Sequence, residues 1–142
     1  MSFDLRIIEG DIVINRRGDV DNVVNSDKLA QDVLKVLNTT LGSDPFNPNY
    51  GSLLTAASIG QMSNIDIVTV QIQNIIEQSL QSLIQMQTLQ KTYQYVSDAE
   101  TIVDFDSPIV EQSATDPRQY NITVSAVSRD MTPITMSFMV VV

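Results

Sequence analysis

The run Pro133-Ile134-Thr135-Met136-Ser137-Phe138-Met139-Val140-Val141-Val142 decides how this chain folds. Ile134, Met136, Phe138, Val140 and Val142 recur at every second position, with Thr135, Ser137, Met139 and Val141 between them. Side chains on an extended strand point alternately to opposite faces, so one face of this strand is made for a core. Its last four residues are apolar on both faces. Such a strand is expected either inside a sheet or paired with another chain by strand addition. Upstream, Tyr120, Ile122, Val124 and Ala126 alternate with Asn121, Thr123 and Ser125, and Arg129-Asp130-Met131-Thr132 turns the chain between the two runs. Thr101 to Phe105 and Ile109-Val110 are shorter extended runs separated by Ser107-Pro108. The last third therefore reads as antiparallel strands in a small mixed sheet.

Working back, the pattern changes period. Ile72, Ile75, Ile76, Leu80, Leu83, Ile84, Met86, Leu89 and Tyr93 form an apolar stripe at mostly helical spacing, which predicts one long helix from about Val68 to Tyr95. At ~1.5 Å per residue it spans about 40 Å. Its other face is unusual, because Glu77 and Lys91 are the only charges between Ile67 and Ser97. Gln71, Gln73, Gln78, Gln81, Gln85, Gln87, Gln90 and Gln94 replace the usual Glu/Lys pairs. Glutamine favours helix and costs less to desolvate than a charge, which suits a polar face that a partner later buries; a solvated helix that happens to use Gln fits equally well.

A second helix is predicted from Leu29, Ala30, Val33, Leu34, Leu37 and Leu41, with Asn25 or Ser26 as cap, Asp27 in the first turn and Gly42 as C-terminal stop. Between the helices, Ser43 to Ser52 holds Pro45 and Pro48, which forbid helix. Phe46 and Tyr50 in that loop want burial and are expected to pin it to the body. Near the N-terminus, Leu5 to Ile8 and Asp11 to Ile14 flank Glu9-Gly10 and predict a hairpin. The fold class expected is α+β: an N-terminal β-hairpin, two main helices with one long, and C-terminal antiparallel strands, in one domain over residues 1–142.

Composition removes several functions. The 142 residues include no His and no Cys, which excludes a Ser-His-Asp triad, a thiol nucleophile, disulfides and an ordinary zinc site. Eight basic against 17 acidic residues give a net charge of −9, unsuited to nucleic acid or anionic lipid. The N-terminus has no signal-peptide pattern and no run reaches the ~20 apolar residues of a membrane helix. Arg17-Gly18-Asp19 spells an adhesion tripeptide but reads better as a turn. Asp19-Val20-Asp21 starts like a calcium loop, yet Val23 and Val24 occupy a ligand and the glycine position. No phosphate-binding glycine loop exists, so neither cofactor nor metal is expected. Carboxylates remain: Asp98, Glu100, Asp104, Asp106, Glu111 and Asp116 lie in one segment. Paired carboxylates hydrolyse glycosides, with Glu77, Glu100 or Glu111 as candidate acid, but a solvated acidic face is the simpler reading.

Taken together, Asp11 to Ile14, Asp27 to Val33, Leu37 to Gly42 and Phe46-Asn47-Pro48-Asn49-Tyr50-Gly51-Ser52 resemble the baseplate wedge and sheath-initiator family of contractile-tailed phages. That family is also similar to a baseplate subunit of type VI secretion systems. The resemblance covers about residues 4 to 60, and the remainder by element order. The family commonly has Glu-Pro-Arg before its C-terminal strands; here Glu100-Thr101-Ile102 keeps only the Glu, while Asp116-Pro117-Arg118 lies after a candidate strand. The resemblance implies a structural, non-enzymatic virion subunit, assembled in the host cytoplasm and present in about six symmetric copies around the tail tube. Its expected partners are the tail sheath protein, met by strand exchange through Ile134, Met136, Phe138, Val140 and Val142, and the wedge and hub or tube proteins. Phe46, Tyr50, Gly51 and Ser52 are the family loop. Some members carry a lysozyme label. A peptidoglycan glycosidase and a regulatory protein-binding adaptor are the alternatives.

Overall fold

Gly10 has φ +86° and Glu9 φ +52°, a tight turn that only a glycine-bearing pair makes cheaply. It joins β2 (Ile7–Ile8) to β3 (Asp11–Ile12), the hairpin expected from the sequence. Beside it, β1 (Asp4–Leu5) pairs antiparallel with β4 (Asn22–Val23). Between β3 and β4, Asn15 Oδ1 accepts from the N–H groups of Arg17 and Asp19, so Arg17-Gly18-Asp19 is a turn. The computed structural model describes residues 2–54, 56 and 64–142; the part of the family resemblance at residues 55 and 57–60 lies outside them.

Helix α1 is Asn25–Asn38 and helix α2 is Ile65–Gln90. Neither Asn25 nor Ser26 caps α1: Val24 stands at the cap with no side-chain bond, and the first helical residue is Asn25 itself. The C-terminus also differs from expectation. Leu41 lies beyond the helix because Ser52 intervenes, donating its hydroxyl to Leu37 O at 2.7 Å and its N–H to Thr39 O at 2.8 Å. Orphan carbonyls at a helix end need such donors, and Thr40 then pairs with Ser52 as a bridge instead of continuing the turn. Gly42 keeps a positive φ of +80° but sits in the following turn.

Helix α2 starts three residues before Val68 and ends five before Tyr95, since Asn64 caps it by accepting from Asp66 N–H at 3.2 Å. Leu89 and Tyr93, placed by spacing on the core stripe, are exposed. A 3₁₀ turn, Asp98–Glu100, leads into the sheet of β5 (Ile102–Phe105), β6 (Ile109–Gln112), β7 (Gln119–Ser128) and β8 (Pro133–Val141). Every ladder in it is antiparallel. Strand β7 is central: β8 runs along one side of it, while β5 and β6 lie end to end along the other.

Both helices pack on one face of that sheet. Leu29, Val33 and Leu37 of α1 and Ile72, Ile76 and Leu80 of α2 meet Tyr120, Ile122, Val124, Ala126, Ile134 and Met136 in one core. Two glutamines enter it. Gln31 receives Ile7 N–H and donates to Leu5 O and Asp4, tying the N-terminal strands to α1. Gln87 does the same for β5 from α2. Among the described residues, no buried side-chain polar atom lacks a partner, as a packed interior demands.

Candidate functional site

Among the described residues, strand β8 has a neighbour on one side only. The ladder bond from Val142 N–H to Arg118 O at 2.8 Å, and that from Ser128 N–H to Thr132 O at 3.0 Å, fix its parity. Backbone groups alternate along a strand, so the even-numbered residues of β8 bond to β7. Thr135, Ser137, Met139 and Val141 therefore direct their N–H and C=O groups away from the sheet. Pro133, which lacks an N–H, falls on that outer side, where no ladder bond to β7 is lost. The result is a long exposed edge, a ready acceptor for another strand.

The expected partner-binding side chains lie elsewhere. Ile134 and Met136 are buried in the core, and Phe138, Val140 and Val142 are partly buried against it. They hold β8 to its own helices while its outer backbone stays open. Strand addition uses that backbone, so the exposed side chains beside it are Thr135, Ser137, Met139 and Val141. Sequence spacing found the two faces of the strand. It could not say which edge was free, because that depends on where β5 and β6 settle.

The family loop divides. Phe46 is 90% exposed and anchors nothing, contrary to the expectation that it is buried. Asp44 organises its surroundings instead, accepting from Phe46 N–H and Asn47 Nδ2. Tyr50 packs against the core, with its hydroxyl pKa raised by burial. Gly51 has φ +116°, and a Cβ there would stand 2.6 Å from Thr39 O and 2.9 Å from Leu41 N. No other residue fits. Ser52 is buried, closing the end of α1 as described.

A groove of about 440 Å³ opens beside Tyr50 between α1, the 43–52 loop and the C-terminal end of α2. Lys28, Asp32, Lys35, Tyr50, Tyr93 and Glu100 are among its lining residues. Glu100 is the one candidate acid that is buried, at 1% exposure. Burial pushes its carboxyl pKa up, but hydroxyl bonds from Ser2 at 2.6 Å and Ser97 at 2.7 Å, the Ser97 N–H and the charge of Lys28 bring it below the ordinary value. It is a carboxylate at neutral pH. Asp32 is likewise held in an ion pair with Lys28 at 2.8 Å. The other candidates are apart from this groove: Glu77 accepts from the Ser107 hydroxyl, and Glu111 is exposed on β6. Asp98, Asp104 and Asp106 are also exposed and Asp116 is half-buried, and among the described residues no three acids gather closely enough to hold a metal ion. Among the described residues, no helix is long and apolar enough to cross a membrane.

No protein-family profile matches the chain, and no curated protein matches it in sequence. Its fold is similar to a crystal structure from Geobacter sulfurreducens whose protein is provisionally named a tail lysozyme. The TM-score is 0.60 at 13% identity, covering 84% of this chain and 95% of that one. At that identity the likeness establishes the fold. The expectation that the chain is not an enzyme is corrected by it, since a protein of the same fold bears an enzyme's name.

Proposed function

We propose that this chain is a tail-associated protein of a contractile phage, built into the baseplate, that offers the outer edge of β8 to a strand of the tail sheath protein. The observation that carries this reading is the free edge from Pro133 to Val141, backed by side chains fixed in the core. A preformed edge held by a rigid helix layer loses little entropy when a strand is added. The resemblance over the N-terminal half and the tail name of the protein of similar fold agree with it. Wedge and hub or tube proteins are the further partners in this reading, and the assembled virion tail is its location.

The test is a pair of proline substitutions. Ser137→Pro removes an outward N–H that no ladder bond uses, whereas Phe138→Pro removes one that bonds β7. Ser137→Pro should leave a folded protein that no longer starts sheath assembly, and Phe138→Pro should unfold. Normal sheath growth on folded Ser137→Pro protein would sink the strand-addition reading.

A second reading has its own observation. Asp32 and Glu100 share one groove, and paired carboxylates in a cleft are what a peptidoglycan glycosidase needs. In that reading Glu100, held ionised, is not the acid expected from the sequence but the nucleophile or base, and the proton for the leaving oxygen has to come from a group other than Glu100. The name of the structurally similar protein favours it.

A further inference from the structure

The N-terminal strands are amphipathic the wrong way round. Arg6 N–H bonds Asp21 O at 2.9 Å, Val13 N–H bonds Arg6 O at 3.0 Å and Asp21 N–H bonds Val13 O at 2.8 Å, so three antiparallel ribbons meet at one ring of backbone bonds. One ribbon leads to α1, one ends in the Glu9-Gly10 turn and one in the turn at Arg16-Arg17-Gly18. Directly paired residues of an antiparallel ribbon lie on the same face, and so do residues two apart on one strand. The pairs Leu5–Asn22, Ile7–Ile12 and Ile14–Val20 therefore share one face, while Asp4, Arg6, Val13, Asp21 and Val23 share the other.

The second of these faces is turned to the body. There Asp4 pairs with Lys35 of α1 at 2.7 Å, Arg6 pairs with Asp21 at 2.7 Å and reaches Asp27 of α1 at 3.8 Å, and Val23 is buried. The first looks outward: Leu5, Ile7, Ile12, Ile14 and Val20 are each 40% to 66% exposed, and none of them belongs to the common core. A sheet with one wet face ordinarily turns its apolar side chains in and its ions out. This one does the reverse. Two-residue strands also have little to hold them unless an apolar face is covered. The outer face is a continuous apolar surface of roughly a few hundred Å², the size class that marks contact sites.

Charge at the two ends of this face distinguishes what covers it. Glu9 and Asp11 stand at one turn, and Arg16 and Arg17 stand at the other with Asp19 beside them, all exposed. Among the described residues, none of these five has an ion-pair partner. A two-fold axis lying in the face, across the line between the turns, sets apolar face on apolar face and the acidic turn of each copy over the basic turn of its mate. Such self-complementarity is what an isologous contact requires. We propose that this face is covered by the same face of a second copy of the chain. The net −9 of each copy opposes the pair. The two bodies lie on opposite sides of the interface, however, and salt screens exposed charges more than ~8 Å apart. A contact of this area is weak and reversible. It uses neither the β8 edge nor the groove beside Tyr50, so it stands apart from both readings above.

The oligomeric state of the full chain, followed by sedimentation from micromolar to near-millimolar concentration, tests this. The unaltered protein is expected to shift reversibly from monomer to dimer across that range, and a protein that stays monomeric throughout overturns the proposal. Two charge-swapped proteins then identify the surface. Arg16→Glu with Arg17→Glu makes both ends of the face acidic, and Glu9→Lys with Asp11→Lys makes both ends basic. All four positions are exposed, so thermal stability should hold. Each swapped protein alone should dimerise at least ~10-fold more weakly, the basic one included, although its net charge is smaller. Mixed in equal amounts, the two should recover dimers that hold one copy of each. Dimers that survive either swap, or a mixture no better than its components, would put the contact elsewhere and overturn the proposal.

Discussion

Gln87 accepts the Ile102 N–H on its side-chain oxygen at 2.9 Å, and its amide nitrogen donates to the Glu100 carbonyl at 3.1 Å. The long helix thus stands in for a neighbouring strand where β5 begins. Both bonds are buried, so they are exchanged for nothing if the amide is lost. Gln87→Leu keeps the volume roughly and leaves two backbone groups unsatisfied. It should lower stability by about 3 kcal/mol, read as a shifted urea midpoint at unchanged slope. A shift no larger than that of exposed Gln85→Leu would refute the role.

Gly51 separates conformational cost from steric cost. Gly51→Ala adds a methyl 2.6 Å from Thr39 O, whereas Gly10→Ala adds one with nothing within 4 Å. Both positions have positive φ, so both suffer the ~1 kcal/mol penalty for leaving glycine. Only Gly51→Ala must also move the backbone that ends α1. It should lose at least twice the stability of Gly10→Ala in thermal melts, and equal losses would contradict the packing described.

Acid stability depends on two carboxylates that tie down the N-terminal segment. Burial raises the Asp4 pKa, but Lys35 at 2.7 Å and Gln31 bring it below its usual 3.8. Glu100, which receives the Ser2 hydroxyl, lies below its usual 4.5. A carboxyl depressed in the folded state stabilises fully above its unfolded pKa, and that stability is lost as pH falls through the folded value. Lys35 is raised above 10.5 and works oppositely, so its contribution is full below 10.5 and fades at higher pH. Stability should be level from about pH 5 to 10 and fall on both sides. Asp4→Asn should flatten both limbs, and unchanged limbs in melts across pH 2 to 12 would disprove the linkage.

Hydrolysis is decided by comparing acids in different places. If the groove cleaves peptidoglycan, Asp32→Asn and Glu100→Gln should each reduce clearing of purified peptidoglycan at least ~100-fold. Glu111→Gln, exposed on β6, should leave it unchanged. Equal activity in all three, with folded protein confirmed by circular dichroism, would remove the glycosidase reading.

Much of the architecture was legible because it follows from periodicity. Alternation from Tyr120 to Ala126 and Ile134 to Val142 required paired strands, and the 3.6-residue spacing in both helices required a common core. The departures share a cause. Leu41 has helical spacing, but Ser52, eleven positions on, takes the carbonyl and pairing positions the next turn needed. Phe46 is hydrophobic yet sits on a loop whose shape is set by Asp44 and Gly51, so it reaches no core. Tertiary contacts outrank local preference at both places.

By itself, then, the sequence determined the α+β class, the inner faces of the strands and the exclusion of His and Cys chemistry, since those depend only on residue type and spacing. Long-range packing settles which edge of β8 is open, that Glu100 alone among the candidate acids is buried, and that the glutamines of α2 divide between core fasteners and an exposed, uncharged face. Each of those depends on what a distant segment covers. The pairing of β7 with β5 and β6 leaves β8 one neighbour, and no local pattern in Pro133–Val142 records that choice.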